Sequence, residues 1–286
     1  MEITFLSSKN YSDPSANNGD CIIIINNGEM LVYDCGCYEH ADRVISIMKK
    51  KSIDKVKCVL SHNDKDHFEG FLKLIEEDKV EKIYTVCALK HVDDILKVLN
   101  DGKRKRDATK ENILEKFSNI EKLSGFLEDI YDSDNDLITD EIITGVNVVA
   151  PDYDYMVDTV AKAINNSESD TKDGDSIMNA ASVCLQVEGN KKLLLTGDST
   201  YENICDLLED LDYIQLPHHG REAQLLKITE DLGYDVTYIV SDNTGSSNGG
   251  CDVKNLKGYS YRITTDGDVK LNLHKVENHI VGTFGV

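Results

Sequence analysis

Two stretches in opposite halves of the chain share one pattern: an apolar run, a tight turn, a second apolar run and a terminal aspartate. The first spans residues 20–36 and turns at 26–28; the second spans 181–199 and turns at 189–190. Asparagine and glycine, which fill both turns, accept the positive φ angles that a short hairpin needs. Each stretch therefore predicts a β-hairpin, and the two β-rich halves predict two sheets.

Strand and helix patterns alternate between and after these hairpins. A helical apolar period over 40–51 is followed by a buried strand at 55–61 and a second helix at 68–78. Alternation of this kind is typical of an α/β fold. We therefore predict an α/β sandwich in which helices cover the outer faces of two packed sheets.

Two segments refine this prediction. Residues around 100–140 break the alternation with charged turns and amphipathic runs, which predicts a helical insertion within a single domain spanning residues 1–286. Residues 261–274 predict a final hairpin that turns at Asp266-Gly267.

The charge balance limits the classes of partner. With a formal net charge of −21, the chain cannot present the broad basic surface on which non-specific nucleic-acid binding depends. A metal site that binds a phosphate remains compatible with this charge, because bound ions dominate the local field. The one dense basic run, residues 103–106, is either a solvated loop or a segment that contacts a phosphate-bearing substrate.

The sequence predicts a cytoplasmic protein without a membrane partner. Its first residues lack the basic segment and apolar run of a signal peptide, and no stretch reaches the length of a membrane span. The 8 cysteines are scattered through apolar segments, as expected of reduced thiols.

Histidine and aspartate concentrate where predicted strands end. Seven such residues follow three strands: His62, Asp64, Asp66, His67, Asp198, His218 and His219. Alternate positions of an extended chain face one way, so His62 and Asp64 can share one ion, while Asp66 and His67 can reach a second. Such mixed ligand sets suit Zn, Mn or Fe, and two ions joined by a carboxylate form a hydrolytic site. Taken singly, each segment could instead be structural, with Asp66 capping a helix.

Three of these segments, in this order, resemble the metallo-β-lactamase superfamily. They are SHNDKDHFEG at 61–70, LLLTGDS at 193–199 and LPHHGRE at 216–222. The usual first motif is His-x-His-x-Asp-His, and Asp64 stands here at the second histidine. This variant is similar to the hydrolase domain of the competence protein ComEC. The resemblance covers most of the chain outside roughly 100–140 and implies an αββα metallo-β-lactamase sandwich.

The resemblance also implies a role for each motif residue. His62 and Asp64 would bind the first ion, Asp66 and His67 the second, and Asp198 would bridge both.

The remaining positions carry over less directly. His218 is favoured as a ligand of the second ion, with His219 reaching a substrate oxygen, and the reverse order stays open. Asn179 stands where the family has a third histidine and would offer the first ion a neutral oxygen. Asp34 matches an aspartate that would orient a ligand without binding the ion.

The expected function is that of a metal-dependent hydrolase. Two divalent ions, Zn or Mn, would activate a water molecule, with Asp66 or His219 relaying protons. The expected substrate is a phosphate ester, a nucleic acid or a nucleotide, which makes the protein a phosphodiesterase or nuclease. Two alternatives stay open: hydrolysis of a lactone, ester or thioester, and a non-catalytic regulatory module whose site is degenerate at Asn179.

Overall fold

The strands of the chain form two large sheets in a computed structural model. The model describes residues 1–12, 19–99, 105–117, 122–165, 171–172, 175–241 and 256–274. The first sheet has the order β15-β1-β2-β3-β4-β5-β6. Its strands are β1 (Glu2–Phe5), β2 (Ile22–Asn26), β3 (Glu29–Tyr33), β4 (Val56–Val59), β5 (Val80–Thr85), β6 (Leu127–Asp129) and β15 (Val269–Asn272).

The second sheet has the order β14-β13-β12-β11-β10-β7. Its strands are β7 (Val146–Ala150), β10 (Cys184–Glu188), β11 (Lys192–Leu195), β12 (Tyr213–Gln215), β13 (Thr237–Val240) and β14 (Ser260–Ile263). A small two-stranded sheet pairs β8 (Thr171–Lys172) with β9 (Asp175–Ser176).

Helices lie between the strands along the chain. They are α1 (Tyr38–Lys51), α2 (Lys65–Glu76), α3 (Val92–Leu99), α4 (Arg106–Lys116), α5 (Tyr153–Asn165), α6 (Ile177–Ala180), α7 (Tyr201–Ile204) and α8 (Glu222–Leu232). The helix α1 illustrates how the sequence sets their ends. It carries Glu39 in its first turn and three lysines in its last, which complements the helix dipole, and Ser52 ends it in the left-handed conformation.

Strand β2 shows how the layers form. Ile22 and Ile24 belong to the core between the two sheets, together with Leu185 and Leu195 of the second sheet. Ile23 points to the opposite face and packs with buried residues of α1 and α2. Side chains alternate across a strand, so the isoleucine run fills two layers at once.

The outer face of the second sheet is covered in the same way. Leu225 and Ile228 of α8 pack against Ile214 and Tyr238. The order of layers is therefore helix, sheet, sheet, helix, which confirms the αββα sandwich. The helices α3, α4 and α5 also contribute buried side chains to the core between the sheets.

Tyr33 links the two sheets by a buried hydrogen bond. Its hydroxyl donates to the Val183 carbonyl over 2.7 Å, next to the start of β10. We expect Tyr33→Phe to lower the free energy of unfolding by about 1 kcal/mol, because the buried carbonyl loses this hydrogen bond while the ring keeps its packing. Urea denaturation would measure the change. Tyr38→Phe, at an exposed position, is the matched control and should stay within about 0.5 kcal/mol of the parent.

The predicted final hairpin is wrong. The strand at Ser260–Ile263 pairs with β13 in the second sheet, while Val269–Asn272 pairs with β1 in the first. A short 3₁₀ turn at Thr264–Asp266 and Gly267, at φ 138°, carry the chain across the sandwich edge. The turn residues were identified correctly, but a turn alone does not decide with which strand its arms pair.

Two boundaries also differ from prediction. The second helix begins at Lys65 instead of residue 68, so Asp66 lies in its first turn and Asp64 stands at the N-cap. The segment around 100–140 is not purely helical, because Leu127–Asp129 forms an edge strand parallel to β5. Its three residues are too few for their side-chain alternation to show in the sequence. Among the described residues, no helix is long and apolar enough to cross a membrane.

Candidate metal centre

Polar residues collect at one edge of the sandwich. The strands β3 and β4 run parallel, as do β11, β12 and β13, so the carboxyl ends within each group lie together. The segments after these strands bring Asp34, His62, Asp198, His219 and Ser241 to this edge. In open parallel sheets, binding sites form outside the carboxyl ends of strands.

Asp198 lies at the middle of this cluster and is 3% exposed. Its Oδ1 is 3.6 Å from Nε2 of His67, and its Oδ2 is 3.8 Å from Nε2 of His62. The same Oδ2 lies 3.9 Å from Nε2 of His218. One carboxylate therefore faces three imidazoles, with its two oxygens turned to different rings.

His62 is held with its Nε2 towards the carboxylates. Its Nδ1 lies 3.0 Å from the Ser61 hydroxyl and 3.3 Å from that of Ser182. Its Nε2 is 3.6 Å from Oδ2 of Asp64. The Asp64 side chain makes no cap hydrogen bond to the helix that it precedes. Its carboxylate can therefore act as a metal ligand beside His62.

A second group forms around His67, which is fully buried. Ligand atoms of Asp66, His67 and His219 all lie within 4.8 Å of one another. Nδ1 of His67 is 2.9 Å from Oδ2 of Asp34. Asp34 in turn accepts hydrogen bonds from the Ser61 backbone, at 2.8 Å, and from the Ser61 hydroxyl, at 2.7 Å. Asp34 thus fixes the orientation of His67 through Nδ1, while Nε2 of the same ring faces Asp198.

The two adjacent histidines point in different directions. Both take left-handed backbone angles, with φ of 49° at His218 and 55° at His219, and their ring planes cross at 80°. His219 joins Asp66 and His67, whereas His218 faces Asp198 and Asn179. The sequence favoured His218 as the ligand beside Asp66 and His67, and that order stays a prediction. Nδ2 of Asn179 lies 3.4 Å from Nδ1 of His218, so Asn179 contacts an imidazole of the cluster.

Asp20 is a member of the cluster to which the sequence assigned no role. It is 1% exposed, and its ligand atom groups with those of Asp198 and His219 within 4.8 Å. Its carboxylate accepts from the Ser241 hydroxyl, at 2.6 Å, and from the Gln215 amide. One sequence signal could have pointed to Asp20. It stands directly before the apolar run of β2, where burial is expected, and a buried charge needs polar partners. The serines around the cluster carried no comparable signal.

Burial and charge act against each other in this cluster. Burial lowers the pKa of the His67 imidazole, but Asp198 and Asp34 outweigh it and hold that pKa well above its ordinary value. Burial lowers the pKa of His219 as well, and Asp198 and Asp20 raise it to about 10. Burial raises the pKa of Asp198, but His67 and His219 hold it well below its usual range. Without ions, the cluster therefore keeps protons on imidazoles, which an arriving cation has to displace.

The donor atoms fit divalent metal ions. Three buried atoms, Nε2 of His62, Nε2 of His67 and Oδ1 of Asp198, have no hydrogen-bond partner among the described residues. Leaving buried polar atoms unsatisfied is costly, and a cation that accepts their lone pairs removes that cost. Ligand atoms on one tetrahedral ion lie about 3.4 Å apart, close to the separations found around Asp198. Imidazole nitrogen and carboxylate oxygen are ligands of zinc and manganese alike.

The insertion borders this centre. The Asn63 side chain, next to His62, donates to the Lys116 carbonyl at the end of α4 over 2.7 Å. Of the basic run at 103–106, Lys103 and Arg104 lie outside the described residues, while Arg106 pairs with Asp93 over 2.6 Å. The segment 242–250, which follows β13, also lies outside them.

We expect Asp34→Asn to weaken zinc binding by roughly 10- to 100-fold. An amide at this position would direct an N–H group towards Nδ1 of His67, so the ring would lose its acceptor and its fixed orientation. Competition for Zn²⁺ against a chelator of known affinity would measure the loss. Asp54→Asn, at an exposed position, is the control; equal affinity in both variants would contradict an orienting role for Asp34.

The layers and the cluster together define a protein with the metallo-β-lactamase fold. The crystal structure of the metallo-β-lactamase fold protein YhfI from Bacillus subtilis is similar, with a TM-score of 0.54 and 11% identity. The match covers 94% of this chain and 99% of that chain. A variant of the CmlA β-hydroxylase matches with a TM-score of 0.51 and 12% identity, covering 95% of this chain and 54% of that one.

At these identities the likeness establishes the fold and not the chemistry. No protein-family model matches this chain, and no curated protein matches it. The function must therefore be argued from the site.

Proposed function

We propose that this protein is a metal-dependent hydrolase that cleaves phosphodiesters. The observation that carries the proposal is the position of Asp198. Its two oxygens face different imidazoles, and the buried Nε2 atoms of His62 and His67 beside it have no hydrogen-bond partner in the part of the chain that the structure describes. A carboxylate in this position can bridge two ions. Two bound divalent ions would act as Lewis acids and lower the pKa of a water molecule, which is the chemistry that phosphodiester hydrolysis requires.

The residues divide into two ligand sets. His62, Asp64 and Oδ2 of Asp198 would hold the first ion. The second set consists of Asp66, His67, His219 and Oδ1 of Asp198, because the first three lie within mutual reach and His67 approaches that oxygen. His219, in place of His218, is thus our proposed ligand of the second ion.

The hydrogen bonds of the site support this division. Nδ1 of His219 lies 2.8 Å from the Ser241 carbonyl, which can only accept, so this nitrogen carries a proton. Nδ1 of His67 contacts Asp34 in the same manner. The proton that a cation displaces from each ring is therefore the one on Nε2, and Nε2 would bind the ion. Asp66 is the carboxylate of this set that also reaches solvent, and it is placed to hold a proton during the reaction.

Bound ions would decide whether an anionic substrate can approach. Two divalent ions would bring four positive charges to a cluster that holds the carboxylates of Asp20, Asp34, Asp64, Asp66 and Asp198, so the ions would offset most of its negative charge. The chain as a whole carries a net charge of −21. A phosphate anion would thus bind at the ions themselves, in a protein that otherwise repels polyanions.

Substrate panels with the purified full chain test the proposal. Bis-(p-nitrophenyl) phosphate and a short single-stranded DNA would be compared with a p-nitrophenyl ester and a lactone, each with Mn²⁺ or Zn²⁺. We expect turnover of the phosphodiesters, abolished by Asp64→Asn and retained in Asp54→Asn. Turnover of the lactone or ester alone would overturn the phosphodiesterase assignment, and tight metal binding without any turnover would indicate a non-catalytic module.

A further inference from the structure

The division of ligands leaves the first ion with one imidazole. Asn179 is buried beside this set, and its carboxamide contacts another side chain, His218. His218 is also the imidazole that approaches Oδ2 of Asp198, the oxygen that faces His62. The same ring therefore touches both Asn179 and the first ligand set.

We propose that His218 supplies the second imidazole of the first ion and that Asn179 positions it. The two neighbouring histidines would then serve different ions, His218 the first and His219 the second. The inference rests on the proposed metal centre and adds a ligand and a positioning residue to it.

The backbone holds His218 in register with Asp198. The His218 N–H donates to the Gly197 carbonyl over 3.2 Å, directly before Asp198. The Arg221 N–H closes the turn onto the carbonyls of Pro217, at 3.3 Å, and His218, at 3.1 Å. Left-handed angles at both histidines turn the two side chains apart in the opposite sense to a right-handed helix, and the ring planes cross at 80°. A single turn can thus present one ring to each side of Asp198.

The separations in the first set are close to those of bound ligands. Nε2 of His62 lies 3.6 Å from Asp64 and 3.8 Å from Asp198, and Nε2 of His218 lies 3.9 Å from Asp198. Ligand atoms on one tetrahedral ion are about 3.4 Å apart, so these three contacts are near that separation. His62 and His218 do not share a group of ligand atoms that all lie within 4.8 Å of one another, so an ion would also have to draw these two rings together. The His218 side chain is 18% exposed and has room for this movement.

Asn179 is suited to set the tautomer of His218. Its carboxamide lies against Nδ1 of the ring, and Asn179 is 3% exposed. The structure places Nδ2 of Asn179 at this contact; rotation of the carboxamide by 180° would exchange Nδ2 for the oxygen, which would accept from Nδ1–H and leave the Nε2 lone pair for the ion. Asparagine would then act through His218 and not as the weak oxygen ligand that the sequence suggested.

Zinc binding by four variants tests the assignment. His218→Asn and His219→Asn are matched, because asparagine accepts the left-handed backbone at both positions. Each would be combined with Asp66→Asn, which weakens the second ion. With Zn²⁺ alone, measured by chelator competition and metal analysis, we expect D66N/H219N to keep one tight ion and D66N/H218N to keep none. One tight ion in D66N/H218N and none in D66N/H219N would overturn the assignment, as would equal retention in both.

A rescue variant separates the role of Asn179 from a general loss of structure. We expect His218→Asn to weaken the first ion by roughly 100-fold and Asn179→His in the same chain to restore most of that loss. If Asn179→His restored no zinc affinity in a folded variant, residue 179 would not lie beside the first ion as proposed. Because no substrate is used, the outcome is independent of catalysis: a chain that binds zinc as expected but cleaves no phosphodiester refutes the proposed function alone. Phosphodiester turnover with zinc affinity unchanged in His218→Asn refutes the inference alone.

Discussion

Asp198→Asn is expected to leave less than one tightly bound ion per chain and to lower phosphodiester turnover by roughly 10³-fold. The reason is the arrangement around this residue, whose Oδ1 faces His67 and whose Oδ2 faces His62 and His218. An amide keeps the shape but supplies no negative charge, so it cannot balance two divalent ions. Metal analysis after dialysis of zinc-loaded protein measures the first effect, and hydrolysis of bis-(p-nitrophenyl) phosphate the second.

The control is Asp206→Asn, which removes an exposed carboxylate a few residues further along. It should bind two ions and turn over substrate as the parent does. Thermal unfolding of both metal-free variants would show that each is folded. Retention of two tight ions by Asp198→Asn would contradict its bridging position, whatever the substrate proves to be.

Gly70→Ala is expected to destabilise the metal-free protein by about 3 kcal/mol, near the upper end of overpacking effects. A methyl group on Gly70 would lie 2.4 Å from the Cys35 sulfur and 2.5 Å from the Cys37 carbonyl oxygen. The Gly70 N–H donates to the Cys35 carbonyl over 2.7 Å, so the helix cannot retreat without losing that bond. The gain in helix propensity from alanine, about 1 kcal/mol, is too small to offset the clash.

Urea denaturation of the metal-free chain would measure this loss. Glu69→Ala, one residue earlier in α2, removes a partly exposed side chain that pairs with Lys65 over 3.3 Å. It should stay within about 0.5 kcal/mol of the parent. A variant Gly70→Ala as stable as Glu69→Ala would show that Cys35 and its loop can move away at little cost. We also expect Gly70→Ala to weaken metal binding, because Cys35 directly follows Asp34, which orients His67.

Much of the fold could be predicted from local pattern. The turn at 26–28 joins β2 to β3 as expected, because its asparagine and glycine residues have few alternatives to a tight turn. The hairpin of β10 and β11 was predicted for the same reason. The prediction that the strands on either side of the last turn pair with each other was wrong. Both segments have the composition of a strand, but composition does not specify with which strand each one pairs.

The candidate site shows the same division. The sequence could predict that His62, Asp64, Asp66 and His67 lie close together. The reason is that the end of a strand and the start of a helix set the directions of side chains over a few residues. Asp20 was not assigned, because its importance arises from contacts with Gln215 and Ser241, far away along the chain.

The sequence by itself determined the layers of this protein and the residues available to bind metal. These follow from side-chain periodicity, turn chemistry and ligand type, all of which act over a few neighbouring positions. Only the tertiary structure decided which oxygen of Asp198 faces which imidazole, and that His218 and His219 diverge. The physical reason is that side chains in a turn take their direction from backbone angles. At His218 these angles are fixed by a turn bonded to the Gly197 carbonyl of a different strand end.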